Sequence, residues 1–116
     1  MAKAVGIGGV FFRATDPAAL AVWYLKHLGV EAGETPWQTE AGPTVFAPFK
    51  ASTDYFPAEK QYMINFRVDD LKTLIADLRA AGIAVETRAE WETPYGTFAR
   101  IHDPEGNPVE LWQPPA

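Results

Sequence analysis

Apolar residues recur along this chain with two different periods, and the change of period marks out its elements. Between Gly96 and His102, Thr97, Ala99 and Ile101 alternate with Phe98, Arg100 and His102. A period of two is that of a strand with unlike faces. Asp103-Pro104-Glu105-Gly106-Asn107 then supplies turn chemistry, and Val109-Glu110-Leu111-Trp112 resumes the strand pattern, so the chain should reverse into a hairpin. If Ile101 pairs with Val109, Arg100 stands opposite Glu110 and Phe98 opposite Trp112. One face of the hairpin then carries a charge pair flanked by aromatics.

Helical spacing occurs twice. Leu20, Trp23, Tyr24 and Leu28 form one stripe, and Leu71, Leu74, Ile75 and Leu78 form another. The first predicts a helix from Pro17, at a favourable first position, to Leu28, stopped by Gly29. The second predicts a helix from Leu71 to Ala81, stopped by Gly82. Each is preceded by an apolar strand end and an acidic cap: Phe12-Arg13-Ala14-Thr15-Asp16 and Phe66-Arg67-Val68-Asp69-Asp70. The two segments look like copies in an internal duplication. Core packing is the plain role of Trp23 and Tyr24. Between the halves, Pro36, Pro43, Pro48 and Pro57 punctuate the chain, with a short strand expected around Thr44-Val45-Phe46-Ala47. A polar loop from Ala51 to Gln61 carries Tyr55 and Phe56, which suit either a lid over a ligand or a pin to the surface.

Composition narrows the classes. The chain has 116 residues, 47% hydrophobic and 22% charged, enough for one folded domain. A net charge of −5 leaves no basic surplus for phosphates, so neither nucleic acid nor an anionic membrane is an expected partner. No cysteine is present, which excludes disulfides, thiolate metal sites and a thiol nucleophile. No stretch has the length of a membrane span, and a cytoplasmic location is the default expectation.

The duplicated strand-helix-strand halves, Trp23-Tyr24 followed by Leu28-Gly29, Tyr95-Gly96, and above all Asp103-Pro104-Glu105-Gly106-Asn107-Pro108-Val109-Glu110-Leu111 resemble the vicinal oxygen chelate superfamily. That superfamily includes glyoxalase I, extradiol dioxygenases and the fosfomycin and bleomycin resistance proteins. The resemblance implies an α+β fold of two βαβββ modules, about 1–56 and 57–116 within a single 1–116 domain, with curled mixed sheets around a cleft. It also implies a homodimer and a divalent metal that chelates adjacent substrate oxygens.

Carried over position by position, the metal ligands of that superfamily fall on Gly9, Phe46, Met63 and Glu110. Glycine and phenylalanine have no donor, and a thioether suits hard or borderline divalent ions poorly. A single carboxylate does not make a catalytic metal site, so no cofactor is expected. His27 sits in the last turn of its helix, where a cation suits the dipole. His102 shares the expected face of Glu110 and is assigned a hydrogen-bonding role.

Glu110 and Arg100 are the candidate catalytic residues, either as an ion pair ordering the hairpin or as a general base beside a cation that anchors the ligand. Phe11, Met63, Asn65, Phe98, His102 and Trp112 are the candidate ligand-binding residues. Arg13 and Arg67, at matched places in the halves, are expected to point into the same cleft. The expectation is a metal-independent protein that binds a small, partly aromatic molecule, as the drug-sequestering resistance proteins do. The alternatives are a metal-dependent lyase, isomerase or dioxygenase of glyoxalase type, and a domain kept for protein contacts. Catalysis itself is left open.

Overall fold

Two aspartates start the helices of this protein, and a hairpin locks both helices to one sheet. The structure is a computed structural model and describes residues 1–116. Its elements are α1 (Pro17–Leu28), β1 (Ile64–Arg67), α2 (Leu71–Ala80), β2 (Glu92–Thr93), β3 (Gly96–His102) and β4 (Pro108–Gln113), with one 3-10 turn at Ala89–Trp91. The four strands lie in the order β1-β4-β3-β2. β1 runs parallel to β4, and the other pairs are antiparallel.

Side-chain caps set the helix starts. The Asp16 carboxylate accepts from the Ala19 amide at 3.1 Å, and Asp70 accepts from the Thr73 amide at 3.1 Å and its hydroxyl at 2.7 Å. Those two bonds hold the Asp70 carboxyl below the usual range. α1 ends where Gly29 turns left-handed, at φ 68°, and returns its amide to the Leu25 carbonyl. α2 stops at Ala80, one residue short of the expected Ala81, which caps it instead. The Gln113 side chain, at the end of β4, accepts from the first amide of α2 at 2.7 Å.

The hairpin register is the expected one, with Ile101 opposite Val109, Arg100 opposite Glu110 and Phe98 opposite Trp112. Alternation then sorts the sheet into two faces. Ala99, Ile101, Val109 and Leu111 are each at most 1% exposed and pack with Leu20, Tyr24, Leu71 and Leu78 of the helices. Full burial of a side chain such as Leu111 contributes roughly 2 kcal/mol. Gly96 starts β3 at φ 122°, and a Cβ there would lie 2.4 Å from the Gln113 carbonyl oxygen.

The Asp103–Asn107 turn does more than reverse the chain. Asp103 is 4% exposed, and its carboxylate accepts from the amides of Glu105 and Asn107, the Asn107 side chain, and the Tyr24 hydroxyl at 2.7 Å. Glu105 reaches the amides of Thr15 (2.6 Å) and Asp16 (3.0 Å), just ahead of α1. A carboxylate satisfies the free amides of a helix start and opposes its positive end. The turn thereby fastens the hairpin to a helix some ninety residues earlier in the chain.

In the second half, β1, α2, β2, β3 and β4 follow one another in the order β-α-β-β-β, and the four strands share one sheet. From the first half only α1 takes a regular form. The strands expected to end at Phe12-Arg13 and to run through Thr44–Ala47 are not formed, which corrects the reading from local pattern. Residues 1–13 are exposed throughout, with Val5 93% and Phe11 93% exposed, and no sheet edge pairs with them. Gly6, Gly8 and Gly9 give that segment little side chain to pack, and prolines break the second one. No helix is long and apolar enough to cross a membrane.

Candidate functional site

The sheet face away from the helices is built from the alternate residues of the same strands. Asn65 in β1 stands beside Glu110 in β4, and Glu110 beside Arg100 in β3. Glu86 meets Arg100 through two backbone hydrogen bonds of 2.9 Å. Four polar residues therefore form one row across the sheet. The next row holds Arg67, Trp112 and Phe98.

Glu110 uses both carboxylate oxygens. Oε1 accepts from the Asn65 side-chain amide at 2.8 Å, and Oε2 accepts from the Tyr55 hydroxyl at 2.5 Å. The expected ion pair with Arg100 is not made, although the two residues are in register. Tyr55 supplies the reason: its phenol takes the carboxylate oxygen, and its ring lies 4.9 Å from the Arg100 guanidinium carbon. Arg100 Nη2 donates to the Tyr55 carbonyl at 3.0 Å. Arg100 is 8% exposed, and its Nε–H has no hydrogen-bond partner. Burial, and then the bond to an anionic acceptor, push the Tyr55 phenol up to about 12.

In the adjoining row the Phe98 and Trp112 rings are stacked, 6.1 Å apart and 5° from parallel. The Trp112 indole N–H donates to the Tyr95 carbonyl at 2.9 Å, leaving half-buried Phe98 the more available surface. Arg67 does not line an open cleft. Its guanidinium donates to the carbonyls of Pro43 (2.6 Å) and Glu40 (2.7 Å), strapping residues 40–43 over this side.

Of the residues singled out from the sequence, the structure brings together Asn65, Arg100 and Glu110, with Phe98 and Trp112 one row away. His102 is exposed at the end of β3, opposite Pro108, and Met63 is half-buried just ahead of β1. Phe11 is outside this group. It lines a separate hollow of about 220 Å³ with Arg13, Tyr24, Lys60, Ile64 and Val109. Ile64 and Val109 point away from Asn65 and Glu110, so that hollow opens on the helix side of the sheet. Arg13 and Arg67 thus serve different surfaces. Tyr55 is the member of the Glu110–Arg100 group that residue spacing did not single out. Its signal was the adjacent aromatic pair in a polar loop, together with a hydroxyl that needs a partner.

Residues 9–112 match the family described as Glyoxalase-like domain. The chain belongs to that family. Among solved structures, this glyoxalase-like protein is similar to TnmS3, described as an antibiotic binding protein from Streptomyces sp. CB03234. The identity is 26%, the match covers 87% of this chain and 88% of that one, and the TM-score is 0.55. A glyoxalase/bleomycin resistance protein from the same organism is 33% identical over 53% of this chain and 54% of that one, with a TM-score of 0.41. Comparison with curated protein sequences gives no match.

A divalent metal is the cofactor its superfamily implies, and the donor set of this glyoxalase-like chain does not fit one. Gly9 and Phe46 lie on exposed, irregular backbone, and Phe46 is 86% exposed. Glu110 is engaged by two hydrogen-bond donors. No group of three or more His, Asp and Glu side chains gathers anywhere in the fold. Three such ligands are the ordinary minimum for a catalytic ion.

Proposed function

We propose that this glyoxalase-like protein binds a small, partly aromatic organic molecule of the antibiotic class on the loop-covered face of its sheet, without the metal of its superfamily. The observation that carries this reading is Arg100. It is a nearly buried cation with an unpartnered N–H, set between a hydrogen-bonded carboxylate and a stacked aromatic pair. A buried donor without an acceptor is costly, and a ligand oxygen would relieve it. Phe98 and the Tyr55 ring supply flat surface beside it. The likeness to an antibiotic binding protein across most of both chains supports the same reading. A homodimer belongs to it as well, since Val5, Phe11, Val45 and Phe46 are left exposed and call for cover.

The test is calorimetric titration with a panel of planar aromatic antibiotics, with and without a chelator, alongside metal analysis and light scattering of the purified protein. Saturable binding that ignores the chelator is expected, from a protein of twice the chain mass. Arg100→Met is expected to weaken binding about tenfold through loss of a charged hydrogen bond. A stoichiometric divalent ion that is retained on purification and lost in Glu110→Ala would overturn the proposal in favour of metal-dependent chemistry.

A further inference from the structure

We infer that Tyr55 is a built-in stand-in for the ligand, and that the site is made for a phenol whose ring and hydroxyl replace those of Tyr55 over Arg100 and Glu110. The inference rests on the binding function proposed above and specifies the ligand chemistry of that site. Three contacts converge on the one residue. Its hydroxyl donates to Glu110 at 2.5 Å, its ring lies 4.9 Å from the Arg100 guanidinium, and its carbonyl accepts from Arg100 Nη2 at 3.0 Å.

The rest of the loop is fastened lightly. Between the Pro43 carbonyl, held by Arg67, and the Lys60 ammonium, which donates to Asn107, the only hydrogen bonds from residues 44–59 to the strands of the sheet are those of Tyr55. The others close local turns, from Thr53 to Lys50, from Tyr55 to Thr53 and from Lys60 to Pro57. Releasing Tyr55 therefore frees sixteen residues between two anchored ends. A loop so attached opens at low cost compared with any strand of the sheet.

The chemistry of the cradle selects the occupant. An ionised carboxylate only accepts hydrogen bonds, and Asn65 already donates to one oxygen of Glu110, so the incoming group must donate to the other. An ammonium donor would place positive charge against buried Arg100. A neutral O–H on an electron-rich ring avoids that and keeps the guanidinium on the ring face. Tyr55 itself leaves Arg100 Nε unsatisfied, so a free ligand with one more acceptor oxygen can improve on it.

The experiment measures 2-naphthol and 2-methoxynaphthalene by calorimetry against the wild type, Tyr55→Ala and Tyr55→Phe, with thermal unfolding as the check that each variant folds. Naphthol is expected to bind Tyr55→Ala about tenfold more tightly than the wild type, with Tyr55→Phe between them, because the phenol no longer competes with an internal one. The methyl ether, which has no proton to donate, is expected to bind Tyr55→Ala about tenfold more weakly than naphthol does. The naphthol–wild-type–Tyr55→Phe comparison stands by itself should the alanine variant not fold. Equal naphthol affinity across the variants, or equal affinity for the ether, overturns the inference. If planar antibiotics still bind in that case, only the choice of phenol has failed. If no aromatic compound binds wild type or variant, the binding function fails with it.

Discussion

On the helix side of the sheet, Ala99, Ile101, Val109 and Leu111 are sealed under two capped helices. On the loop side, one residue along the same strands, Asn65 bonds to Glu110, while Glu110 and Arg100 each take a partner from Tyr55 in a proline-punctuated segment. Both sides are covered, but by different means. Helices bring a fixed apolar stripe whose contacts survive any single rearrangement. The loop brings one tyrosine. On the binding reading proposed above, the difference separates two roles: stability resides in the first face, while the second exchanges its cover without unfolding the protein.

The sharpest way to break that division is to truncate one residue on each face. Leu111→Ala opens a cavity beneath α1 and α2 and is expected to cost about 3 kcal/mol in urea unfolding, with antibiotic affinity little changed in the remaining folded protein. Arg100→Met removes a buried charge that makes only one hydrogen bond, so it is expected to move stability by less than about 1 kcal/mol while weakening the ligand. If Arg100→Met proved the more destabilising of the two, the loop side would be part of the folding core and the division would be wrong.

Much of the first face was legible in the sequence, for physical reasons that also explain what was not. A period-two run, a five-residue polar turn and a second run leave one pairing that buries Ile101 and Val109 together, so the register of Arg100 with Glu110 followed. Asp16-Pro17 and Gly29 bracket α1 because capping is local chemistry. The strands expected near Phe12 and Thr44–Ala47 failed because strand formation needs a neighbour, and periodicity within a segment does not reveal one. Asp103-Pro104-Glu105-Gly106-Asn107 read correctly as a turn. Its fastening to Tyr24, Thr15 and Asp16 joins residues 79 to 90 positions apart, beyond any local signal. Tyr55 escaped on the same ground. It reaches Glu110 from 55 residues away through irregular backbone.

A smaller effect sharpens the helix side. Tyr24 joins α1 to the turn through a hydroxyl buried against Asp103, which keeps three other donors when that hydroxyl is removed. Tyr24→Phe is therefore expected to cost about 1 to 2 kcal/mol in urea unfolding, less than Leu111→Ala. A loss as large as that of the leucine variant would mean that Asp103, and not the apolar layer, organises this face.

The smallest effect is visible only in alkali, where the two faces should respond in different ways. Each face holds a tyrosine whose hydroxyl donates to a carboxylate: Tyr24 to Asp103 and Tyr55 to Glu110. Burial raises both phenols above their ordinary value, Tyr55 to about 12 and Tyr24 further. A raised acid is stabilised in its protonated form by folding. Its contribution is complete below the unfolded value near 10 and is lost as pH rises toward the folded value. Tyr55 sits on a displaceable loop, so its anion can form while the sheet stays intact. Tyr24 is 4% exposed inside the core, so its anion forms only as the core opens. Beyond the absorbance of exposed Tyr62 and Tyr95, a component of the 295 nm tyrosinate signal is therefore expected near pH 12 ahead of any loss of far-ultraviolet dichroism, and this component should vanish in Tyr55→Phe. A second component should coincide with the loss of dichroism and vanish in Tyr24→Phe. A Tyr55-dependent component that appears only with the loss of dichroism would show that Tyr55 is held as firmly as the core, and that the loop is no removable cover.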